Sequence, residues 1–143
     1  MKYVILVSHG HFAQGLQSAV MMMSGKRDDI LSTSLEEDMG TNDFAENFRK
    51  LVEPLTSDDE VLLFSDILSG SPFTTSIEVL NQRGLFAKTT VFAGMNMPMV
   101  LTAVLMKDNL EKQDMIEAVL SEGRLGVTLF QMDAVTDYQE EEL

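Results

Sequence analysis

The chain's only two histidines, His9 and His11, stand in the stretch Val7-Ser8-His9-Gly10-His11-Phe12, directly after an apolar run. A histidine in such a turn can ligate a metal, move a proton, or act as a nucleophile whose ring nitrogen accepts a transferable group. The sequence contains no cysteine, and two histidines cannot assemble most zinc sites without carboxylate help. The nucleophile needs a partner that fixes its tautomer, and Asp66, closing the run Glu60–Asp66, is the candidate: its carboxylate can accept the Nδ1–H of His9 and leave Nε2 free. Gly10 permits close approach of a ligand to the backbone, and the unpaired amides of the helix that follows favour an anion. Ser71, Pro72 and Phe73 open another helix, where the Ser71 hydroxyl and the neighbouring amides could bind phosphoryl oxygens. Alone, His9 also reads as a satisfied turn histidine and Ser71 as an N-cap. Their combination with Asp66 at strand ends favours chemistry at His9. His11 reads as a surface residue at a helix start, Met21–Met23 as packing, and Asn96 as a helix cap.

These side chains require elements that converge. Tyr3–Val7 is β-branched and apolar without alternation, as a strand buried on both faces should be, and His9 lies just beyond it. Phe12, Leu16, Ala19, Val20 and Met23 then recur at helical spacing up to Ser24-Gly25. A second unit has a strand over Ile30–Leu35 and a helix capped by Thr41 or Asn42, with Phe44, Phe48, Leu51, Val52 and Leu55 as its apolar stripe. The third runs from Glu60–Asp66 into a helix with Ser71 as N-cap, Pro72 at the first helical position and Gly84 at the end. The fourth pairs Thr89–Phe92 with a helix over Met97–Met106. A further helix, Leu110–Arg124, precedes a short apolar strand, Gly126–Phe130. Four βα units in succession predict an α/β fold, a doubly wound, mainly parallel sheet of four strands with helices on both faces. In such sheets ligands bind beyond the carboxyl ends of the strands where the strand order reverses, the edge at which His9, Asp66 and Ser71 lie.

With 143 residues and 45% apolar content the chain is expected to form one domain, residues 1–130, followed by an acidic flexible tail, 131–143. The formal charge of −13 argues against binding nucleic acid through the general surface. No signal peptide or membrane span is expected, and the protein reads as cytoplasmic.

The turn Val7-Ser8-His9-Gly10, with Ser65-Asp66 and Ser69-Gly70-Ser71-Pro72-Phe73 after the third strand and Ala93-Gly94-Met95-Asn96-Met97-Pro98 after the fourth, resembles the IIA component of the mannose-family sugar phosphotransferase system. The resemblance covers residues 1 to about 130. It implies that His9 is the phosphorylated residue, Asp66 its orienting carboxylate, and Gly10, Ser71 and Phe73 the surroundings of the phosphoryl group. The implied reaction is a relay without cofactor or metal: the phosphocarrier HPr gives its phosphoryl group to Nε2 of His9, which passes it to a IIB component serving a membrane transporter. A homodimer that exchanges the strand Gly126–Phe130 is also implied, as is a position at the inner face of the membrane through the transporter. The phosphoryl-donor subunit of a dihydroxyacetone kinase shares the fold, but its relatives usually lack the Ser69–Phe73 turn. Histidine phosphatases need an Arg-His-Gly turn and a second, distant histidine, and receiver domains an acidic pair where Ser8-His9 stands. A regulatory binding module with a silent His9 is the non-enzymatic alternative.

Overall fold

The computed structural model describes residues 1–132. Four strands, β1 (Lys2–His9), β2 (Ile30–Leu35), β3 (Glu60–Ser65) and β4 (Thr89–Phe92), form one parallel sheet in the order β2-β1-β3-β4. Helices α1 (Phe12–Ser24), α2 (Thr41–Val52), α3 (Ser71–Gln82), α4 (Met97–Met106) and α5 (Lys112–Leu125) complete the fold. The expected α/β architecture is present, and the strand order reverses between β1 and β3.

β1 and β3 are uniformly apolar because each face of the sheet is covered. Val4, Leu6, Leu62 and Phe64 enter the core under α1, α4 and α5, with Phe64 and Phe92 stacked at 4.7 Å. Ile5, Val7, Val61 and Leu63 enter the core under α2 and α3, against Phe44 and Phe48. Successive residues thus feed opposite cores, the period of two that a strand imposes. Fully burying one such side chain stabilises by roughly 1.5–3 kcal/mol, so these two layers outweigh the individual polar contacts at their ends.

Several boundaries differ from the sequence expectation for local reasons. β1 continues to His9, which pairs in register with Leu35, so His9 ends the strand rather than following it. Gly40, not Thr41 or Asn42, occupies the N-cap of α2, and the Asp43 carboxylate accepts from its amide at 3.0 Å. Gly70, not Ser71, caps α3, which moves Ser71 to the first helical position and Pro72 to the second. Helix α3 ends as expected at Gly84: its amide bonds Asn81 O and that of Leu85 bonds Leu80 O, a pair that needs φ +70° at the glycine. Asn96 caps α4 by accepting from the Met99 amide at 3.0 Å. Helix α5 starts at Lys112, two residues later than expected. Phe12 and Met23, assigned to the apolar stripe of α1, are exposed, and Ala13, Leu16 and Val20 carry the contact instead. Within the single chain Gly126–Phe130 forms no strand, and Val127, Leu129 and Phe130 are exposed. Most of the acidic segment 131–143, from residue 133 on, lies outside the described residues. Among the described residues no helix is long and apolar enough to cross a membrane.

The amino edge of the sheet is tied by ions. Lys107, only 2% exposed, places Nζ 2.7 Å from Asp29 and 3.0 Å from Asp108, while Arg27 grips Asp29 through two bonds of 2.9 Å. Removing one partner of a buried pair leaves an uncompensated charge and costs about 3–5 kcal/mol, so Asp29→Asn should lose about 2–3 kcal/mol in urea unfolding at pH 7, part of the contact surviving as an amide. The Arg27 hydrogen bond, opposed by burial and reinforced by Lys107, holds the Asp29 carboxyl far below its usual range. A depressed folded-state pKa stabilises above the unfolded value, so the gap between wild type and Asp29→Asn should narrow as pH falls below about 4. A gap that stays constant down to pH 2 would contradict this role.

Candidate functional site

At the opposite, carboxyl edge, the β1–β3 pairing sets the last residue of β1 beside the first residue after β3. Oδ2 of Asp66 accepts from the main-chain N–H of His9 at 2.9 Å and lies 2.8 Å from its Nδ1. The other oxygen accepts from the Ile67 amide at 3.0 Å and from Ser65 Oγ at 3.3 Å. Burial pushes the Asp66 carboxyl upward, but the bonds from the His9 amide and ring and from the Ile67 amide prevail, and its pKa lies below the ordinary value. It is therefore ionised at neutral pH. An ionised carboxylate only accepts, so Nδ1 carries the proton and the lone pair of a neutral ring resides on Nε2. The His9 side chain is 47% exposed, so this arrangement stands at the protein surface.

Two helix starts flank the ring. The turn into α1 is held by Ser8, fully buried, whose Oγ accepts from the Ala13 amide at 2.7 Å and lies 3.1 Å from Ser34 Oγ. Ser8 thus serves the donor that His11, at the N-cap without a side-chain bond, does not. The Gly10 amide donates to Leu35 O at 2.9 Å, so Gly10 contributes its φ of +60° rather than a free donor. His11 turns away from Asp66, with Nδ1 3.1 Å from Glu36, and is 80% exposed.

On the other side, Gly70 presses on the imidazole. Its φ of +86° and ψ of 169° belong to a region open essentially to glycine alone, and a Cβ there would lie 3.0 Å from Cε1 and 3.2 Å from Nε2 of His9. Gly70 is therefore what lets the start of α3 sit against the Nε2 edge. Ser71 and Phe73 occupy the first turn of α3, where their amides have no acceptor within the helix, and Pro72 has no amide to offer. The Thr41 hydroxyl donates to Ser71 Oγ at 3.2 Å, bringing the start of α2 to the same edge. Phe73 is half-buried, and its carbonyl accepts from Ser76 Oγ at 3.0 Å.

The structure thus brings together His9, Asp66 and the loop Gly70–Ser71, and turns His11 toward β2. Thr41 reads in the sequence only as a helix cap, and Ser8 and Gly70 only as members of the quoted turns, none of them as a site residue. For Gly70 a signal existed, a glycine immediately before Ser-Pro at a strand-to-helix turn. For Thr41 none did, since its contact with Ser71 spans thirty residues. Chemically the arrangement offers one nucleophilic nitrogen, a fixed negative charge behind it, and amide donors in front for an anionic group. Among the described residues no three His, Cys, Asp or Glu side chains converge as metal ligands would.

Comparison with known proteins identifies the family. Residues 3–120 match the mannose-type IIA family described as "PTS system fructose IIA component". A fructose-specific EIIA component of Bacillus subtilis is 21% identical over 113 residues, 79% of this chain and 75% of that protein. The crystal structure of a phosphotransferase system EIIA component from Streptococcus agalactiae superposes with a TM-score of 0.78 at 26% identity, covering 91% of this chain and 98% of that one. A mannose/sorbose-specific IIA subunit from Enterococcus faecalis shares the fold with a TM-score of 0.78 at 20% identity, over 92% of this chain and 97% of that one. With a family match over most of its length and a fold to suit, the chain belongs to the mannose-type IIA components of the sugar phosphotransferase system, a family of phosphoryl-group carriers.

Proposed function

We propose that His9 is the phosphoryl carrier of this chain, accepting the group from phosphorylated HPr and handing it to a IIB component that supplies a sugar transporter. The observation that carries the reading is the 2.8 Å contact between Nδ1 and Asp66, which leaves Nε2 as the basic nitrogen of a half-exposed ring. Nε2 forms a bond to phosphorus while the bond from phosphorus to the donor's ring nitrogen breaks, and the donor nitrogen leaves with its electron pair. The Nδ1 proton stays in place, and Asp66 offsets the positive charge that the ring acquires. The free amides of Ser71 and Phe73 at the start of α3, with the Ser71 hydroxyl, meet the equatorial oxygens, so positioning and partial charges replace a cation. Transfer in the second direction uses the same contacts in reverse.

Residues 1–130 act as a single unit in this reading, and the protein works in the cytoplasm against the transporter's inner face. The apolar residues Val127, Leu129 and Phe130, exposed in the single chain, together with β4 as an open sheet edge, support a homodimer in which Gly126–Phe130 adds to the partner's sheet.

Incubation with phosphoenolpyruvate, enzyme I and HPr, followed by intact mass measurement at alkaline pH, should show one acid-labile phosphoryl group on the wild type and on His11→Ala, and none on His9→Ala. A wild type that stays unmodified would instead identify a silent binding module. Asp66→Asn should slow transfer about tenfold or more, the effect of about 1.4 kcal/mol of lost charge stabilisation, with the fold intact by circular dichroism. Gly70→Ala should lose about 1 kcal/mol or more through its strained backbone and should also transfer slowly, because the new methyl meets Cε1 and Nε2. Gly84→Ala is the control: φ is +70° there but nothing lies within 4 Å, so stability should fall while phosphorylation persists. Equal transfer rates in the two variants would remove Gly70 from the site.

A further inference from the structure

A hydroxyl inside a helix commonly spends its hydrogen on the carbonyl one turn earlier. Two in α3 do so, Thr74 donating to Gly70 O at 3.0 Å and Ser76 to Pro72 O at 2.6 Å. Ser71 differs because it opens the helix. The carbonyl four residues before it, Ile67 O, already accepts from Ser65 Oγ at 2.9 Å. Among the described residues the Ser71 hydroxyl finds no acceptor for its hydrogen, and it does not cap the helix, since Gly70 holds that position without a side-chain bond.

Its oxygen, by contrast, is engaged. The Thr41 hydroxyl donates to Ser71 Oγ at 3.2 Å, across the gap between the starts of α2 and α3. Both helix starts are held in place. The Asp43 carboxylate accepts from the Gly40 amide at 3.0 Å, directly before Thr41. Phe44 and Phe48 of α2 share one buried cluster with Val79 and Leu80 of α3. At the far ends of the two helices Arg83 donates to Val52 O at 3.2 Å and to Leu55 O at 3.1 Å. The packing of α2 on α3 therefore sets the two hydroxyls face to face, and the contact does not depend on two mobile side chains finding each other.

We infer that Thr41 is a positioning residue for phosphoryl transfer: by donating to Ser71 Oγ it leaves the Ser71 hydrogen for the phosphoryl group on Nε2 of His9. This role presupposes that His9 is the carrier. A hydroxyl has one hydrogen to give, so an oxygen that accepts from Thr41 keeps its own hydrogen for another acceptor, and bonds in such a chain polarise and strengthen one another. The neighbouring residue, Gly70, is the one that meets the Nε2 edge of the ring, which puts Ser71 beside the point where phosphorus binds. The chain runs from Thr41 through Ser71 to a phosphoryl oxygen, and no proton changes hands along it. Thr41 acts through Ser71 and does not itself meet the transferred group.

The test is single-turnover phosphoryl transfer from phosphorylated HPr to the full chain, in wild type, Thr41→Val, Thr41→Ser, Ser71→Ala and the double variant Thr41→Val/Ser71→Ala, each checked for folding by circular dichroism. Thr41→Val should lower the rate at saturating donor by about three- to tenfold, the effect of one hydrogen bond, and leave the half-saturating donor concentration unchanged. Ser71→Ala should be slowed at least as much. Thr41→Ser, which keeps the hydroxyl, should recover most of the rate, and Thr41→Val should add nothing once Ser71 is alanine. An equal loss in both backgrounds would leave Thr41 a purely structural part, and a change confined to the half-saturating concentration would put it under the partner instead. Either result, or a wild-type rate in Thr41→Val, would overturn the inference while His9 remains the carrier. A wild type that accepts no phosphoryl group would overturn the carrier reading itself, and this role with it.

Discussion

One carboxylate oxygen decides how the carboxyl edge of this molecule is built. Oδ2 of Asp66 takes both the main-chain and the ring N–H of His9, at 2.9 and 2.8 Å, so the same atom fixes where the residue is and which way its imidazole faces. Either bond alone would leave a rotation open. Together they reduce the side chain to one orientation and one tautomer, and the ordering is done by the fold before any ligand arrives. The second oxygen is held by the Ile67 amide and Ser65, so the carboxylate does not itself swing.

That contact is a consequence of topology. A chain that winds outward from β1 to β2 and then returns to place β3 on the other side of β1 must bring the ends of β1 and β3 together at the reversal. Register then selects the residues: Val7 pairs with Ser65, which sets His9 and Asp66 just beyond the ladder. The two apolar layers make this register costly to change, because a slip of one residue would exchange every side chain between the cores under α1, α4 and α5 and under α2 and α3. The charged networks stand at the two edges, Asp29, Arg27 and Lys107 at one and Asp66 with His9 at the other.

What could be read from the residues follows the same division. The four βα units were legible because buried parallel strands are short and apolar and their helices carry a period near 3.6. Asp66 was legible as a partner for His9 because doubly wound sheets commonly set the third strand beside the first. The caps were less so. Ser71 has the chemistry of an N-cap, yet Gly70 takes the position, because the chain must pass the imidazole edge at a φ that serine disfavours and a Cβ would obstruct. The stripe assigned to α1 failed at its ends, since Phe12 and Met23 lie beyond the area that β1 and α4 cover. Gly126–Phe130 has strand composition but pairs with no strand in the single chain, and composition does not say where a partner is.

A carrier must hold its cargo firmly enough to receive it and loosely enough to release it. On the proposed reading, the groups that meet the phosphoryl oxygens are the amides of Ser71 and Phe73 and a hydroxyl, partial charges at the start of α3, and no lysine or arginine is among them. A cationic clamp would stabilise the phosphorylated state and slow the second transfer. Asp66 serves both transfers: its charge compensates the positive charge that the ring acquires as the phosphoryl group arrives and gives up as the group leaves. Basic residues are instead concentrated at the far edge, around a small cavity lined by Lys2, Lys88, Lys107 and Lys112. The separation leaves the phosphoryl group on His9 exposed to a partner's nucleophile with only weak contacts to break, as a reversible relay requires.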